Sequence, residues 1–180
     1  FGDDDDCIGW LVGAENNGMR NMFNMMNNAR INVGLQVVSI AERATQRAAE
    51  FARDRVQGNA MGVETPGPHA IIHHADVRRM LMQMRALTEA SRALTYYNAA
   101  AVDRSLGEED DDKRKAAKGL AELLTPLTKA FCTDAGVEVA SLGVQVHGGM
   151  GYIEETGAAQ LLRDARIAPI YEGTNGIQAM

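Results

Sequence analysis

"INVGLQVVSIAERATQRAAEF", residues 31–51, decides what kind of fold this chain can adopt. Ile31, Leu35, Val38, Ala41, Ala44, Ala48 and Phe51 recur at steps of three and four, the period of one helix face. The spacing predicts a long helix that begins near Asn17 and ends before Gly58. A second stripe, Met80, Met84, Leu87, Ala90, Leu94, Tyr97 and Ala101, predicts a partner helix ending near Gly107. The Gly/Pro-rich stretch "GNAMGVETPGPHAII" (58–72) reads as the connection between them.

Further along, "GEEDDDKRK" (107–115) reads as an exposed helix-to-helix turn, followed by a short amphipathic piece over Leu120 to Leu124. Thr125-Pro126 has the chemistry of a helix start, with Thr as N-cap and Pro in the first turn, where no N–H is needed. Leu127, Ala130, Phe131 and Val137 carry that helix toward Gly143. "HGGMGY" then breaks the pattern, Thr156 caps a helix of roughly 157–167, and a fifth begins after Thr174. Long amphipathic helices bury their stripes by packing antiparallel, so the expected fold is all-α, an up-down four-helix bundle. At the N-terminus, Asp3 to Asp6 read as a solvated turn and Cys7 to Val12 as a short strand whose sheet partners lie elsewhere in the polypeptide. With no initiator Met at Phe1 and a last helix barely begun at Met180, the chain reads as part of a longer polypeptide.

The bulk composition narrows function. A net charge of −6 disfavours nucleic acid and anionic membrane surfaces, which need clustered Lys and Arg. An aromatic content of 5% beside 10 methionines suits helix packing. No apolar run approaches the roughly 18 residues of a membrane span. Cys7 and Cys132 are far apart and outside any metal spacing, and read as thiols of a reducing compartment, the cytoplasm.

Bundles can hold metals through Glu-x-x-His pairs, but none occurs here. His73 and His74 are adjacent and would diverge by about 100° on a helix, so no metal site is expected. The cluster "GGMG" (148–151) follows a helix, whereas a nicotinamide-wrapping loop follows a strand; its glycines still allow a cofactor to approach the backbone. In "IAPIYEGTNGIQ" (167–178), Glu172 stands between a tyrosine and a glycine with no cationic neighbour in sequence. It can be a first-turn glutamate favoured by a helix dipole, or a poorly hydrated acid able to take a proton near neutral pH.

"QVHGGMGY", "LLRDARIAPIYEGTNGIQ" and "NNARINVGLQ" together resemble the C-terminal helical domain of the acyl-CoA dehydrogenases. The resemblance runs from about residue 7 to the end, and the step of 27 from Gln145 to Glu172 matches the family. It implies that residues 1–15 close a middle β domain and that 16–180 form the helical domain, itself cut short. It implies α,β-dehydrogenation of an acyl-CoA to trans-2-enoyl-CoA, with FAD as cofactor, an electron-transfer flavoprotein as partner and a homo-oligomer, dimer or tetramer. The matching glutamate is the catalytic base, which points to Glu172. Where some members carry the base before the arginine of the first long helix, this chain has Ala29 before Arg30. Asn27, Asn28, Ala29, Arg30 and Gly173 correspond to acyl-CoA contacts; for Arg30, a buried or rim arginine paired with a local acid is the alternative. Gln145, Val146, His147, Gly148 and Gly149 resemble the turn that meets a neighbouring subunit's flavin. Thr174, Asn175 and Gly176 resemble a helix start facing the cofactor's phosphates. Arg55, with Val56 and Gln57, resembles the pyrophosphate-pairing arginine and its neighbours.

Two departures stand out. The Phe-Gly pair that commonly follows that arginine is replaced by "RVQGNAMG", and His74-Ala75 stands where a glutamine often meets the flavin. With a longer connection, these features resemble a subgroup of large members that includes methylthiopropanoyl-CoA enzymes. An acyl-CoA oxidase using the same base and an inert helical assembly module are the alternative readings. A eukaryotic source would place the chain in the mitochondrial matrix.

Overall fold

A computed structural model describes residues 2–4 and 6–179. Three long helices dominate: α1 (Gly18–Asp54), α2 (Ala75–Gly107) and α3 (Asp111–His147). Shorter helices follow, α4 (Gly149–Tyr152), α5 (Ala158–Arg166) and α6 (Asn175–Gln178). α1 and α3 run parallel, since Gly34 faces Thr128, Val37 faces Gly136 and Ala44 faces Gly143. α2 runs against both, pairing Thr88 with Thr45, Thr95 with Cys132 and Asn98 with Thr128. α5 returns alongside α1: Arg47 donates to Thr156 O ahead of it, and Ala168 beyond it packs on Val33 and Val37. The bundle is therefore all-α and up-down-up-down, as the periodicity required.

The core is built from small residues. Ala41, Ala44, Ala48 and Ala52 of α1 pack with Met80, Met84, Val139, Val146 and Leu161. Glycine brings α1 and α3 still closer: a Cβ at Gly136 would overlap Val37 Cγ1, and one at Gly34 would sit 2.9 Å from Thr128 Cγ2. Gly136→Ala should therefore destabilise the protein by about 2 kcal/mol through overpacking. Thermal unfolding should show the loss, and Val37→Ala in the same chain should recover part of it.

Several expectations need correction. The acidic turn is only residues 108–110, because Asp110 accepts from the amides of Asp112 and Lys113 and starts α3 at once. α3 then runs unbroken through Pro126. Thr125 is not an N-cap; its hydroxyl donates to Ala121 O, 2.7 Å away, inside the helix. The helix absorbs Pro126 because residues on either side are held by packing on α1 and α2. Residues 7–12, expected as a strand whose partners lie elsewhere in the polypeptide, form no ladder among the described residues, and Ile8, Trp10, Leu11 and Val12 are exposed. Among the described residues the β pairing is a single antiparallel bridge, Val56 with Ala70, and nothing lies beside residues 7–12 to complete a ladder.

The buried faces also differ from the predicted stripes. Leu35, Ala90, Tyr97, Leu127 and Phe131 are exposed, whereas Thr88, Ser91, Thr95, Asn98, Thr128 and Thr133 are buried. Threonine is tolerated there because its hydroxyl bonds back one turn, Thr88 to Met84 O and Thr95 to Ser91 O, each at 2.8 Å. No helix of the described residues is long and apolar enough to cross a membrane. Cys7 is exposed and Cys132 buried, and both are free thiols.

Candidate active site

After α5 the chain turns back under α1. Ile170 and Tyr171 both donate their amides to Ile167 O, Ala168 is buried, and Tyr171 packs on Val33 and Val37. The Tyr171 hydroxyl donates to Gln36 Oε1 at 2.6 Å, fixing this turn to α1. The next residue, Glu172, is half-buried and has a φ of 53°. A non-glycine residue held in the left-handed region stores on the order of 1–3 kcal/mol, so its surroundings must enforce it. Gly173 follows at φ 84°, where glycine is free of that strain.

Two networks hold the turn. From α1, Arg30 Nη1 donates to Gln178 Oε1 at 3.1 Å, and Gln178 Nε2 donates to Gly173 O at 3.0 Å. The other Arg30 terminal nitrogen donates to Asn27 Oδ1, while Arg30 Nε is buried without a partner. From α3, Lys129 Nζ donates to Asn175 Oδ1 at 2.8 Å. Asn175 Nδ2 in turn donates to Ala130 O, Thr133 Oγ1 and Asp134 Oδ1. The Thr133 hydroxyl donates to Lys129 O at 2.7 Å.

The fold thus brings together Glu172, Gly173, Arg30 and Asn27 from the predicted set, with the exposed Asn28 and the half-buried Ala29 beside them on α1. Arg30 pairs with amide side chains, not with a local acid. The Asn175 side chain is bonded to α3, and its amide donates to Pro169 O. Thr174 and Gly176 remain exposed. Sequence reasoning missed Gln178 and Lys129. The signal for the second was available, since Lys129 is the one Lys or Arg between Lys118 and Arg163.

The other predicted residues gather at the far end of the bundle. Arg55 lies 25 residues beyond Arg30, about 37 Å along the helix at 1.5 Å per residue. Its guanidinium makes no hydrogen bond or ion pair among the described residues, and its carbonyl accepts from Ile71 N. Gln57 N donates to His69 O, and His74 Nε2 donates to Gln57 O at 2.8 Å, so His74 braces the segment holding Arg55, Val56 and Gln57. Val146 and His147 are buried: Val146 is core, and the His147 ring stacks on Phe51 at 4.5 Å with Nδ1 donating to Gly143 O. Gln145, Gly148 and Gly149 are exposed. A Cβ at either glycine would meet nothing within 4 Å, so this turn offers bare backbone to an incoming group. Among the described residues no three His, Cys, Asp or Glu side chains could hold a metal.

The family model described as "Acyl-CoA dehydrogenase, C-terminal domain" matches residues 16–180. The chain belongs to the acyl-CoA dehydrogenase family. It is 56% identical over 176 residues to 3-methylmercaptopropionyl-CoA dehydrogenase of Ruegeria pomeroyi, an alignment covering 97% of this chain and 30% of that protein. The domain spans about a third of the length of the curated acyl-CoA dehydrogenases it matches first. The solved butyryl-CoA dehydrogenase of Megasphaera elsdenii superposes with a TM-score of 0.75 at 30% identity, covering 93% of this chain and 38% of that one. An acyl-CoA dehydrogenase from Bacillus anthracis, solved in complex with FAD, superposes with the same TM-score at 27% identity, covering 90% and 27% of the two chains.

Proposed function

We propose that this chain is the catalytic-base domain of an FAD-dependent acyl-CoA dehydrogenase, and that Glu172 removes the α-proton of an acyl thioester. One observation carries the reading: Glu172 is half-buried in a left-handed backbone conformation and is braced from two helices. Strain kept by two separate networks points to a placed side chain, because a surface glutamate needs neither. Arg30, Asn27, Asn28, Ala29 and Gly173 would line the acyl-CoA side of the site. The Arg30–Gln178–Gly173 chain orients the turn so that the carboxylate, not the peptide, meets the substrate.

The chain's own residues fit a flavin. The open glycine turn at Gly148 and Gly149 admits a phosphate or ring against the backbone, and the unpaired Arg55 suits a pyrophosphate. Gln145, Gly148, Gly149 and Arg55, with Val56, Gln57 and His74 behind them, would hold one FAD; Thr174 and Gly176 would face another beside Glu172. The separation of about 37 Å between the two groups favours a homo-oligomer in which each copy serves a partner's cofactor. Bound FAD supplies the acceptor for the substrate's β-hydride. Glu172 holds the α-proton, and the acyl group leaves as a trans-2-enoyl-CoA.

Residues 1–15 read as the end of a middle β domain, whose return would cover the exposed Ile8, Trp10 and Leu11. An electron-transfer flavoprotein is the expected electron acceptor and a reducing compartment the expected location. The Ruegeria pomeroyi relative makes 3-methylthiopropanoyl-CoA the first substrate to try. Mixed anaerobically with it, the flavin-loaded full-length protein should lose its oxidised-flavin absorbance in a single turnover. No bleaching with this or other short acyl-CoAs would count against the reading, and fast reoxidation in air would favour an oxidase. The isolated 180-residue chain should show neither bound flavin nor activity.

A further inference from the structure

Burying a lysine is unfavourable unless its charge is matched, and a methionine or leucine would fill the same space without that penalty. Lys129 is 0% exposed, yet among the described residues its ammonium has a single hydrogen-bond acceptor, Asn175 Oδ1. That acceptor lies three residues after Glu172, in the segment that carries the acid. We propose that Lys129 is a positioning residue for Glu172: through Asn175 its buried ammonium pins the acid's turn to α3 and holds a positive charge on the helix behind it.

The inference rests on the reading of Glu172 as the base. Burial pushes the Lys129 ammonium below the ordinary lysine range, while the carboxylates of Asp134 and then Glu172 pull it back up. The other groups facing this region are few. α1 contributes Arg30, which reaches the turn through Gln178, and the turn itself contributes Tyr171, engaged with Gln36. α3 adds Asp134, bonded to Asn175, and Cys132, whose thiol burial pushes up and keeps neutral. α2 presents the uncharged Thr95 and Asn98 there. Lys129 is the buried cation of this set, and the exposed Asp134 pulls on it more strongly than Glu172 does.

The test uses the flavin-loaded full-length enzyme and begins with Glu172→Gln. Retained flavin reduction in that variant would remove the base itself, and this proposal with it. If Glu172→Gln is inactive, Lys129→Gln follows, because it keeps a donor for Asn175 and removes only the charge. The acidic limb of the kcat/KM profile should move to higher pH, and Lys129→Arg should bring it back. An unmoved limb in a Lys129→Gln enzyme with normal flavin content overturns the proposal while leaving Glu172 as base. Should Lys129→Gln not hold flavin, ¹³Cε-lysine NMR decides. Coupling is reciprocal, so the Lys129 signal should titrate lower in Glu172→Gln than in the parent, and equal titration overturns the proposal.

Discussion

Glu172→Gln in the full-length flavoenzyme is expected to slow flavin reduction by acyl-CoA about a thousandfold or more, while flavin content and unfolding temperature stay near those of the parent. A positioned general base contributes roughly 10²–10⁴ in rate, and no second acid stands ready, because the other position used in the family holds Ala29. The substitution is clean for structural reasons. Among the described residues the Glu172 carboxylate accepts no hydrogen bond, so the turn is held without it, by Gln178 on Gly173 O and by Asn175 on α3. Glutamine has the same shape and meets the same backbone requirement at φ 53°. Rapid-mixing bleaching and solvent-deuterium uptake at the acyl α-carbon measure the two consequences. Turnover within tenfold of the parent would remove Glu172 from the chemistry.

Gly151→Ala should be the most damaging single-methyl change in the domain. A Cβ there would drive into the Val144 carbonyl oxygen and come within 2.8 Å of His147 Cβ. Backbone cannot swing aside as the end of a side chain can, so the short helix α4 must lift away from the end of α3. We expect a loss of about 3 kcal/mol, the upper range for overpacking, against about 2 for Gly136→Ala, whose hard overlap is with a valine methyl. The consequence is also functional, because Gly151 N–H donates to Gly148 O and shapes the open turn at Gly148 and Gly149. Flavin retention on gel filtration should fall together with the unfolding temperature. Retained flavin at parental stability would mean that this turn is neither as tight nor as involved as described.

Much of the fold was legible because α1 is repetitive: Val38, Ala41, Ala44 and Ala48 fall on one stripe and do form the core. α2 beyond Met84 and the middle of α3 were harder, because Thr88, Ser91, Thr95, Asn98, Thr125, Thr128 and Thr133 are among their buried residues. Hydropathy assigns such residues to solvent, and the Leu127 and Phe131 it assigns to the core remain exposed on this chain. Pro126 misled for a related reason. A proline is a good helix start in isolation, and only the packing on both sides carries α3 across it. At the site, the carboxylate could be named from its motif, but two properties of its setting could not. The left-handed backbone at Glu172 has no signal in a glutamate, and the reach of Lys129 to Asn175 spans 46 residues. In sequence Glu172 has no cationic neighbour; in the folded chain the Lys129 ammonium on α3 is bonded to Asn175 of the same turn.

The most direct measurement is a crystal structure of the flavin-loaded, full-length enzyme with an unreactive acyl-CoA analogue bound. The account predicts a Glu172 carboxylate oxygen about 3–3.5 Å from the acyl α-carbon, with the Gln178–Gly173 and Lys129–Asn175 bonds intact. A Glu172 side chain turned into bulk water, with the thioester bound elsewhere, would contradict it.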